Sequence, residues 1–263
     1  ANAALYCGAT VDFVDVDRRS YLMSVDALEA KLEAARRENA LPKIVAPVHF
    51  AGQSCDMRAI RGLGERYGFR IVEDAAHAIG ADYLDGKVGN CRYCDIAVFS
   101  FHPVKIVTTG EGGALTTNDP ALATVLSELR THGITREAAR LEGASEGGWY
   151  YQQIALGLNY RLTDMQAALG ASQMTRIDRF IARRRALAAR YDEALANLPL
   201  VTPWQEPDGR SAYHLYPIRL RTERLTRSRR DIYDALRAAG LGVQVHYIPV
   251  HLQPYYRKLG FAP

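Results

Sequence analysis

The sequence predicts an α/β fold in which helices join the strands of a mostly parallel sheet. From Ala9 onward, short apolar runs of strand length alternate with amphipathic stretches, which is the pattern of strands connected by crossover helices. With 263 residues, 48% of them hydrophobic, the chain is long enough to bury a sizeable core. We therefore expect a globular protein with one large domain or two smaller ones.

The first half of the sequence contains repeated strand and helix signals. Ser24 and Asp56 precede stretches with apolar residues at helical spacing, so each is expected to cap a helix. The expected strands are residues 11–16, 44–48, 69–73, 95–101 and 113–117. Asp119 and Pro120 follow in the order favoured at the start of a helix.

The second half is predicted to contain a long loop and a smaller α+β unit. Residues 135–157 lack periodicity, whereas Thr163 is expected to cap a helical region that runs to about residue 198. The unit beyond it contains expected strands at 213–220 and 243–247 and an expected helix at 229–239. We place a large domain at residues 1–178 and a small C-terminal domain at 179–263, each expected to lack part of its sequence at the chain's end.

Composition argues against several classes of function. The net charge of +4 is too small and too dispersed to indicate nucleic-acid binding. No apolar stretch approaches the roughly 20 residues of a membrane-spanning helix, so a cytoplasmic protein is the expectation. Cys91 and Cys94 form a close pair without a second pair of ligands nearby, and His214, His246 and His251 are widely spaced, so we expect no metal site.

Polar residues at strand ends are the candidates for chemistry, because ligands of open α/β sheets collect beyond the carboxyl ends of the strands. Asp74 ends one expected strand, and Lys105 follows another in an apolar context. A desolvated lysine has a lowered pKa and can act as a nucleophile or form an imine. From position alone, Lys105 can equally be a surface lysine, and Asp74 a helix cap.

Together, the two residues match the needs of pyridoxal 5'-phosphate (PLP). This cofactor requires a lysine that holds its aldehyde and an acid that keeps its pyridine nitrogen protonated. Lys105 and Asp74 supply both groups from strands that are expected to be neighbours.

Four segments resemble the DegT/DnrJ/EryC1/StrS sugar aminotransferases. They are residues 72–80 (VEDAAHAIG), 99–105 (SFHPVK after Phe99), 108–113 (TTGEGG) and 158–164 (LNYRLTD). The resemblance covers nearly the whole chain. It implies the fold of type I PLP-dependent transferases, similar to aspartate aminotransferase, in a homodimer with shared active sites.

The resemblance also implies roles for individual residues. Lys105 is the lysine that holds the cofactor, Asp74 the partner of the pyridine nitrogen, and Ser100 a phosphate ligand. His77 and Gln53 lie near the cofactor in this scheme, although the first can instead be a structural histidine and the second a helix cap. Asn159 matches a residue that reaches the neighbouring subunit's cofactor phosphate, although from spacing alone it closes a turn.

The substrate expectation rests on residues 100–105 and 245–255. These runs most resemble the branch of the family that aminates C4 of a UDP-linked 4-keto-6-deoxy-N-acetylhexosamine on the way to pseudaminic acid, with glutamate as amino donor. Arg161, His246 and Arg257 are the candidate substrate-binding residues.

Two alternatives to this function and one gap in the resemblance remain. The alternatives are an aminotransferase for another nucleotide-linked keto sugar and a non-catalytic relative that binds nucleotide sugars. Family members that dehydrate 3-hydroxy sugars carry histidine in place of the lysine, so Lys105 argues against that chemistry. The Gly-Thr or Gly-Ser step that binds the cofactor phosphate in the family is not found before Ala1. If the protein lacks it, we expect poor PLP binding.

Overall fold

The computed structural model describes residues 1–262 as a mixed α/β structure, which confirms the predicted fold class. The helices are α1 (Asn2–Tyr6), α2 (Val25–Arg37), α3 (Met57–Tyr67), α4 (Pro120–Leu129), α5 (Asp164–Met174), α6 (Ile177–Leu195), α7 (Arg229–Ala238) and α8 (Pro254–Lys258). The strands are β1 (Ile44–Val45), β2 (Arg70–Asp74), β3 (Asp82–Tyr83), β4 (Gly86–Lys87), β5 (Ile96–Ser100), β6 (Gly113–Thr116), β7 (Ile134–Thr135), β8 (Gln152–Gln153), β9 (Leu200–Val201), β10 (Gly209–Arg210) and β11 (Arg219–Leu220).

The main sheet has the strand order β1-β2-β5-β6. Strands β1, β2 and β5 run parallel, and β6 pairs antiparallel with β5. Because parallel strands end at the same edge of a sheet, the residues that follow β2 and β5 are brought together. This edge is where the candidate residues lie.

The helices α2 and α3 begin after the capping residues that the sequence indicates. Ser24 accepts a hydrogen bond from the backbone N–H of Ala27, and Asp56 accepts one from Ala59. Gly68 ends α3 in the left-handed conformation, at φ +79°. The buried faces of both helices join the main core: Leu28, Leu32, Ile60 and Leu63 pack with Ile71 of β2.

Four predicted strands are wrong or too long. Of the expected strand 44–48, only Ile44–Val45 forms a strand. Residues 11–16 contribute only an isolated bridge between Val16 and Met23. The side chains of Asp12 and Asp15 accept hydrogen bonds from the next backbone N–H, so local bonds compete with strand pairing.

In the second half, only Arg219–Leu220 of the expected strand 213–220 forms a strand. Tyr213 has φ +46° and Pro217 has no N–H to donate, so neither suits a regular ladder. Residues 243–247 have no partner strand within residues 1–262 and are irregular.

The helical region after Thr163 is divided into α5 and α6 at Thr175 and Arg176. Since α6 covers residues 177–195, it crosses the expected boundary between residues 178 and 179, and the division into two domains stays a prediction. Of the helices in residues 1–262, none has the length and apolar character needed to span a membrane.

Candidate active site

Two candidate residues, Asp74 and Ser100, lie at the ends of the neighbouring strands β2 and β5. Asp74 is the last residue of β2 and pairs with Val98 of β5, while Ser100 ends β5. One carboxylate oxygen of Asp74 accepts a hydrogen bond from the backbone N–H of Ala76 at 3.0 Å. Both side chains are half-buried at the predicted edge of the sheet.

Lys105 lies in the turn that follows β5. The backbone N–H of Lys105 donates to the carbonyl of His102 at 2.9 Å, and the next two residues, Ile106 and Val107, are buried. Burial lowers the pKa of Lys105, and the negative charge of Asp74 partly opposes this effect. The structure therefore brings the lysine and the carboxylate within electrostatic reach of each other, as the sequence predicts.

His77 faces the same group of charges. Burial and the positive charge of Lys105 lower the pKa of His77 to about 4, against an opposing effect of Asp74. The backbone N–H of Ala51 donates to Nδ1 of His77 at 3.3 Å. His77 is consequently neutral at pH 7, with its hydrogen on Nε2.

Two further histidines surround His77, and only one of them was a candidate. The ring of His214 lies 4.4 Å from that of His77, and the ring of His246 lies 6.4 Å away. Within residues 1–262, Nδ1 of His214 and Nε2 of His246 are buried and have no hydrogen-bond partner. His214 was weighed only as a metal ligand and rejected as one, because a single histidine in an expected strand gives no further signal in the sequence.

Gln53 is buried, but its side chain hydrogen-bonds to a residue outside the strand-end group. Its side-chain oxygen accepts a hydrogen bond from the backbone N–H of Glu206 at 2.8 Å. This bond joins the loop after β1 to a distant loop of the chain, which is a structural role. Contact between Gln53 and a cofactor stays a prediction.

Asn159 and Arg161 lie in an exposed loop before α5. Asn159 forms an isolated antiparallel bridge with Thr131, which is a pairing with a distant part of the chain. The start of α5 contacts the glycine-rich turn that follows Lys105, since Gln166 donates to the carbonyl of Glu111 at 3.0 Å. The loop is thus anchored close to that turn.

Arg257 lies elsewhere. It is an exposed residue of α8, whose Tyr256 hydrogen-bonds to Asn2 and packs on Phe13. Within residues 1–262, no hydrogen bond or ion pair joins Arg257 to Lys105 or Asp74. The structure thus groups His246 with the strand-end residues and does not group Arg257 with them.

The chain is similar to characterised proteins over almost its full length. The model of the family described as "DegT/DnrJ/EryC1/StrS aminotransferase family" matches residues 1–262. The spore coat polysaccharide biosynthesis protein SpsC of Bacillus subtilis (strain 168) is 40% identical over 260 residues, covering 98% of this chain and 64% of SpsC. The UDP-4-amino-4,6-dideoxy-N-acetyl-beta-L-altrosamine transaminase of Campylobacter jejuni (serotype O:2) is 38% identical over 261 residues, covering 98% of this chain and 65% of that enzyme.

The chain is also similar to solved structures of aminotransferases. Helicobacter pylori PseC, an aminotransferase involved in the biosynthesis of pseudoaminic acid, matches with a TM-score of 0.88 and 29% identity over 100% of this chain and 66% of PseC. The PLP form of Spr1654 from Streptococcus pneumoniae, described as a sugar aminotransferase, has a TM-score of 0.80 and 28% identity over 99% of this chain and 67% of Spr1654. The chain spans just under two thirds of the length of the two curated relatives.

Proposed function

Because the chain belongs to the DegT/DnrJ/EryC1/StrS aminotransferase family, we propose that it is the core of a PLP-dependent nucleotide-sugar aminotransferase. The proposed reaction moves the amino group of glutamate to C4 of a UDP-linked 4-keto-6-deoxy-N-acetylhexosamine. The observation that carries the proposal is the placement of Lys105, with a lowered pKa, beside Asp74 at the ends of adjacent strands.

The residues at the strand ends fit PLP, the cofactor of this family. When bound, PLP supplies an aldehyde that a lysine amine can hold and a ring that withdraws electrons. Lys105 offers the amine, Asp74 a carboxylate for the pyridine nitrogen, and Ser100 a hydroxyl for the phosphate. His77 adds a neutral imidazole whose Nε2–H can donate a hydrogen bond without adding positive charge.

Lys105 also has the properties of a proton carrier. A lowered pKa increases the fraction of the Lys105 amine that is unprotonated at a given pH, and the unprotonated amine can act as a general base. With PLP bound, the free Nζ of Lys105 would accept the proton that leaves the α-carbon of glutamate and later release it, so that the lysine ends the transfer unchanged. Asp74 acts electrostatically and exchanges no proton itself in this scheme.

The substrate part of the proposal draws support from the related transaminase and from PseC. The first is a transaminase of a UDP-linked 4-amino-4,6-dideoxy-N-acetyl-altrosamine, and PseC is an aminotransferase involved in pseudoaminic acid biosynthesis. Both align with at least 98% of this chain. The slightly higher identity to SpsC, a protein of spore coat polysaccharide biosynthesis, favours as second candidate an aminotransferase for another nucleotide-linked keto sugar.

We further propose a homodimer with shared active sites. Large apolar side chains are exposed around Asn159, including Leu156 at 92% and Tyr160 at 71% relative exposure. A second group lies at the start of α5, where Met165 is 83% exposed. A second copy of the chain that packs on this surface would bury these apolar side chains. It would also lie next to Asn159. The expected cytoplasmic location remains part of the proposal.

A direct test uses the full-length protein. We expect addition of PLP to produce a visible absorption band, and borohydride reduction to attach the cofactor to the peptide that contains Lys105. With a suitable keto sugar, glutamate should be converted to 2-oxoglutarate in step with amino sugar. Attachment to a different lysine, or nucleotide-sugar binding without PLP binding, contradicts the proposed function.

A further inference from the structure

The segment 212–215 is bound to the turn that follows β1. The backbone N–H groups at its two ends donate to the carbonyls of Gly52 and Ala51, over 2.9 Å and 3.2 Å. Gly52 has φ +106°, and a Cβ there would lie 2.9 Å from the backbone nitrogens of both Tyr213 and His214. A glycine is therefore required for this close approach.

Helix α6 holds the same segment from the other side. Nη1 of Arg184 donates to the carbonyls of Tyr213 and His214, at 3.0 Å and 3.3 Å. Ala51 and Tyr213, which flank the contact, have positive φ values of +60° and +46°. Non-glycine residues adopt this conformation only where surrounding contacts enforce it, and such residues cluster at functional sites.

These contacts place the ring of His214 against His77, at 4.4 Å between ring centroids. The other groups that face His77 are Lys105, Asp74 and His246. Burial, with smaller effects of His77 and Lys105, lowers the pKa of His214 to about 3, so His214 is neutral and adds no charge to this group. Its ring contributes packing and the exclusion of water.

We propose that His214, held by Arg184, is a positioning residue for His77. Its ring shields one face of the His77 imidazole from water and keeps Nδ1 of His77 on the backbone N–H of Ala51. The hydrogen of His77 is thereby held on Nε2, and the imidazole remains neutral beside Lys105. Arg184 acts on His77 only through the backbone of residues 213 and 214.

The test is a titration of His77 by NMR in the full-length protein, labelled at histidine and freed of cofactor. In the unchanged protein we expect a midpoint near 4. His214→Ala admits water and should raise the midpoint by at least about one unit towards 6.5. His214→Phe keeps the ring and should restore the original midpoint.

Arg184 provides an independent pair of variants. Arg184→Met removes the two hydrogen bonds to the segment and should raise the His77 midpoint. Arg183→Met, on the exposed neighbour in the same helix, should leave it unchanged. If one of the variants His214→Ala or Arg184→Met fails to fold, the other decides the question.

The proposal is overturned if the His77 midpoint is unchanged in whichever of these two variants folds. It is also overturned if Arg183→Met shifts the His77 midpoint as much as Arg184→Met does. A kinetic readout rests on the proposed function: His214→Ala should lower kcat by on the order of tenfold with little change in KM for the sugar. The titration does not depend on that function. An inactive unchanged protein with the expected titrations therefore refutes the aminotransferase and leaves the role of His214 standing.

Discussion

Nε2 of His49 lies 2.8 Å from Oε1 of Glu73, and both side chains are buried directly behind the strand end that carries Asp74. Burial lowers the pKa of His49, but its contacts with Cys55 and Glu73 outweigh burial and raise the pKa above its ordinary value. The geometry at the second ring nitrogen nevertheless decides against a charged ring. The backbone N–H of Cys55 points at Nδ1 from 3.1 Å, so no second ring proton fits there. His49 therefore donates from Nε2 to Glu73 as a neutral ring.

The first prediction concerns the stability that this pair contributes. Glu73→Leu leaves the Nε2–H of His49 buried without an acceptor and should lower the free energy of unfolding by about 1–3 kcal/mol. Glu73→Gln keeps an acceptor and should cost about 1 kcal/mol or less. Urea denaturation at pH 7 measures both, with Glu65→Gln on the exposed face of α3 as the control. Equal losses in the two Glu73 variants contradict the tautomer assigned to His49.

The same pair predicts a dependence on pH. Burial raises the pKa of Glu73, but hydrogen bonds from His49, from Cys94 and from the backbone N–H of Gly89 outweigh this effect, and the net pKa lies below its ordinary value of 4.5. A carboxyl with a lowered folded pKa stabilises the protein above its unfolded pKa, and this contribution is lost as the pH falls through the folded pKa. The stability difference between the unchanged protein and Glu73→Gln should thus be full at pH 7 and shrink below about pH 4.5. A stability difference that stays constant down to pH 3 contradicts this pH dependence.

A second prediction concerns Lys105. Lys105→Ala removes both the group that holds PLP and the proton carrier, and loss of the proton transfer alone should slow turnover by roughly 10²–10⁴. Lys105→Arg keeps the positive charge and should be equally inactive. Lys43→Ala, on an exposed lysine outside the site, should retain activity. Near-normal turnover in Lys105→Ala refutes the mechanism.

The relationship of Lys105 to Asp74 was predictable because parallel strands end at one edge of a sheet, whatever the loops between them do. The role of Arg184 could not be predicted from the sequence. Its partners are backbone carbonyls 29 and 30 positions along the chain, and a side chain that bonds to backbone leaves no pattern in the sequence. Residues 11–16 are also misleading in the sequence: they have the apolar content and length of a strand, yet Asp12 and Asp15 bond to adjacent backbone groups.

The third prediction separates an electrostatic role of Asp74 from a structural one. Asp74→Asn can still accept the hydrogen bond from Ala76, so the melting temperature should change little. The substitution removes the negative charge that keeps the pyridine nitrogen protonated, so activity should fall strongly and the absorption spectrum of bound PLP should change. Thermal and kinetic losses of similar size would mark Asp74 as a structural residue that closes the turn at Ala76.

A fourth prediction tests whether Asn159 acts across a dimer. If sites are shared, mixing inactive Lys105→Ala subunits with inactive Asn159→Ala subunits yields heterodimers that contain one intact site. Partial activity should return as the subunits exchange. Subunit exchange shown by mass spectrometry without any recovery refutes a role in the partner's site. Asn159 then keeps only the structural role of its bridge to Thr131.

The last prediction concerns the substrate, and it follows from the different positions of two arginines. A UDP-linked sugar carries a diphosphate, and guanidinium groups bind such anions through paired, charge-assisted hydrogen bonds. Arg161 lies in the loop anchored near the turn after Lys105, whereas α8, which carries Arg257, packs against the start of the chain. We therefore expect Arg161→Ala to raise KM for the sugar nucleotide at least tenfold, an effect of about 1.4 kcal/mol, and Arg257→Ala to have a smaller effect. KM for glutamate should change in neither variant.

Mass spectrometry of products from a panel of keto sugars then tests the sugar itself: the UDP-linked 2-acetamido-2,6-dideoxy-4-keto-hexose should be aminated at C4, with one 2-oxoglutarate formed for each amino sugar. Rapid amination of a dTDP-4-keto sugar while the acetamido sugar stays unreacted refutes the substrate assignment and leaves the aminotransferase chemistry intact.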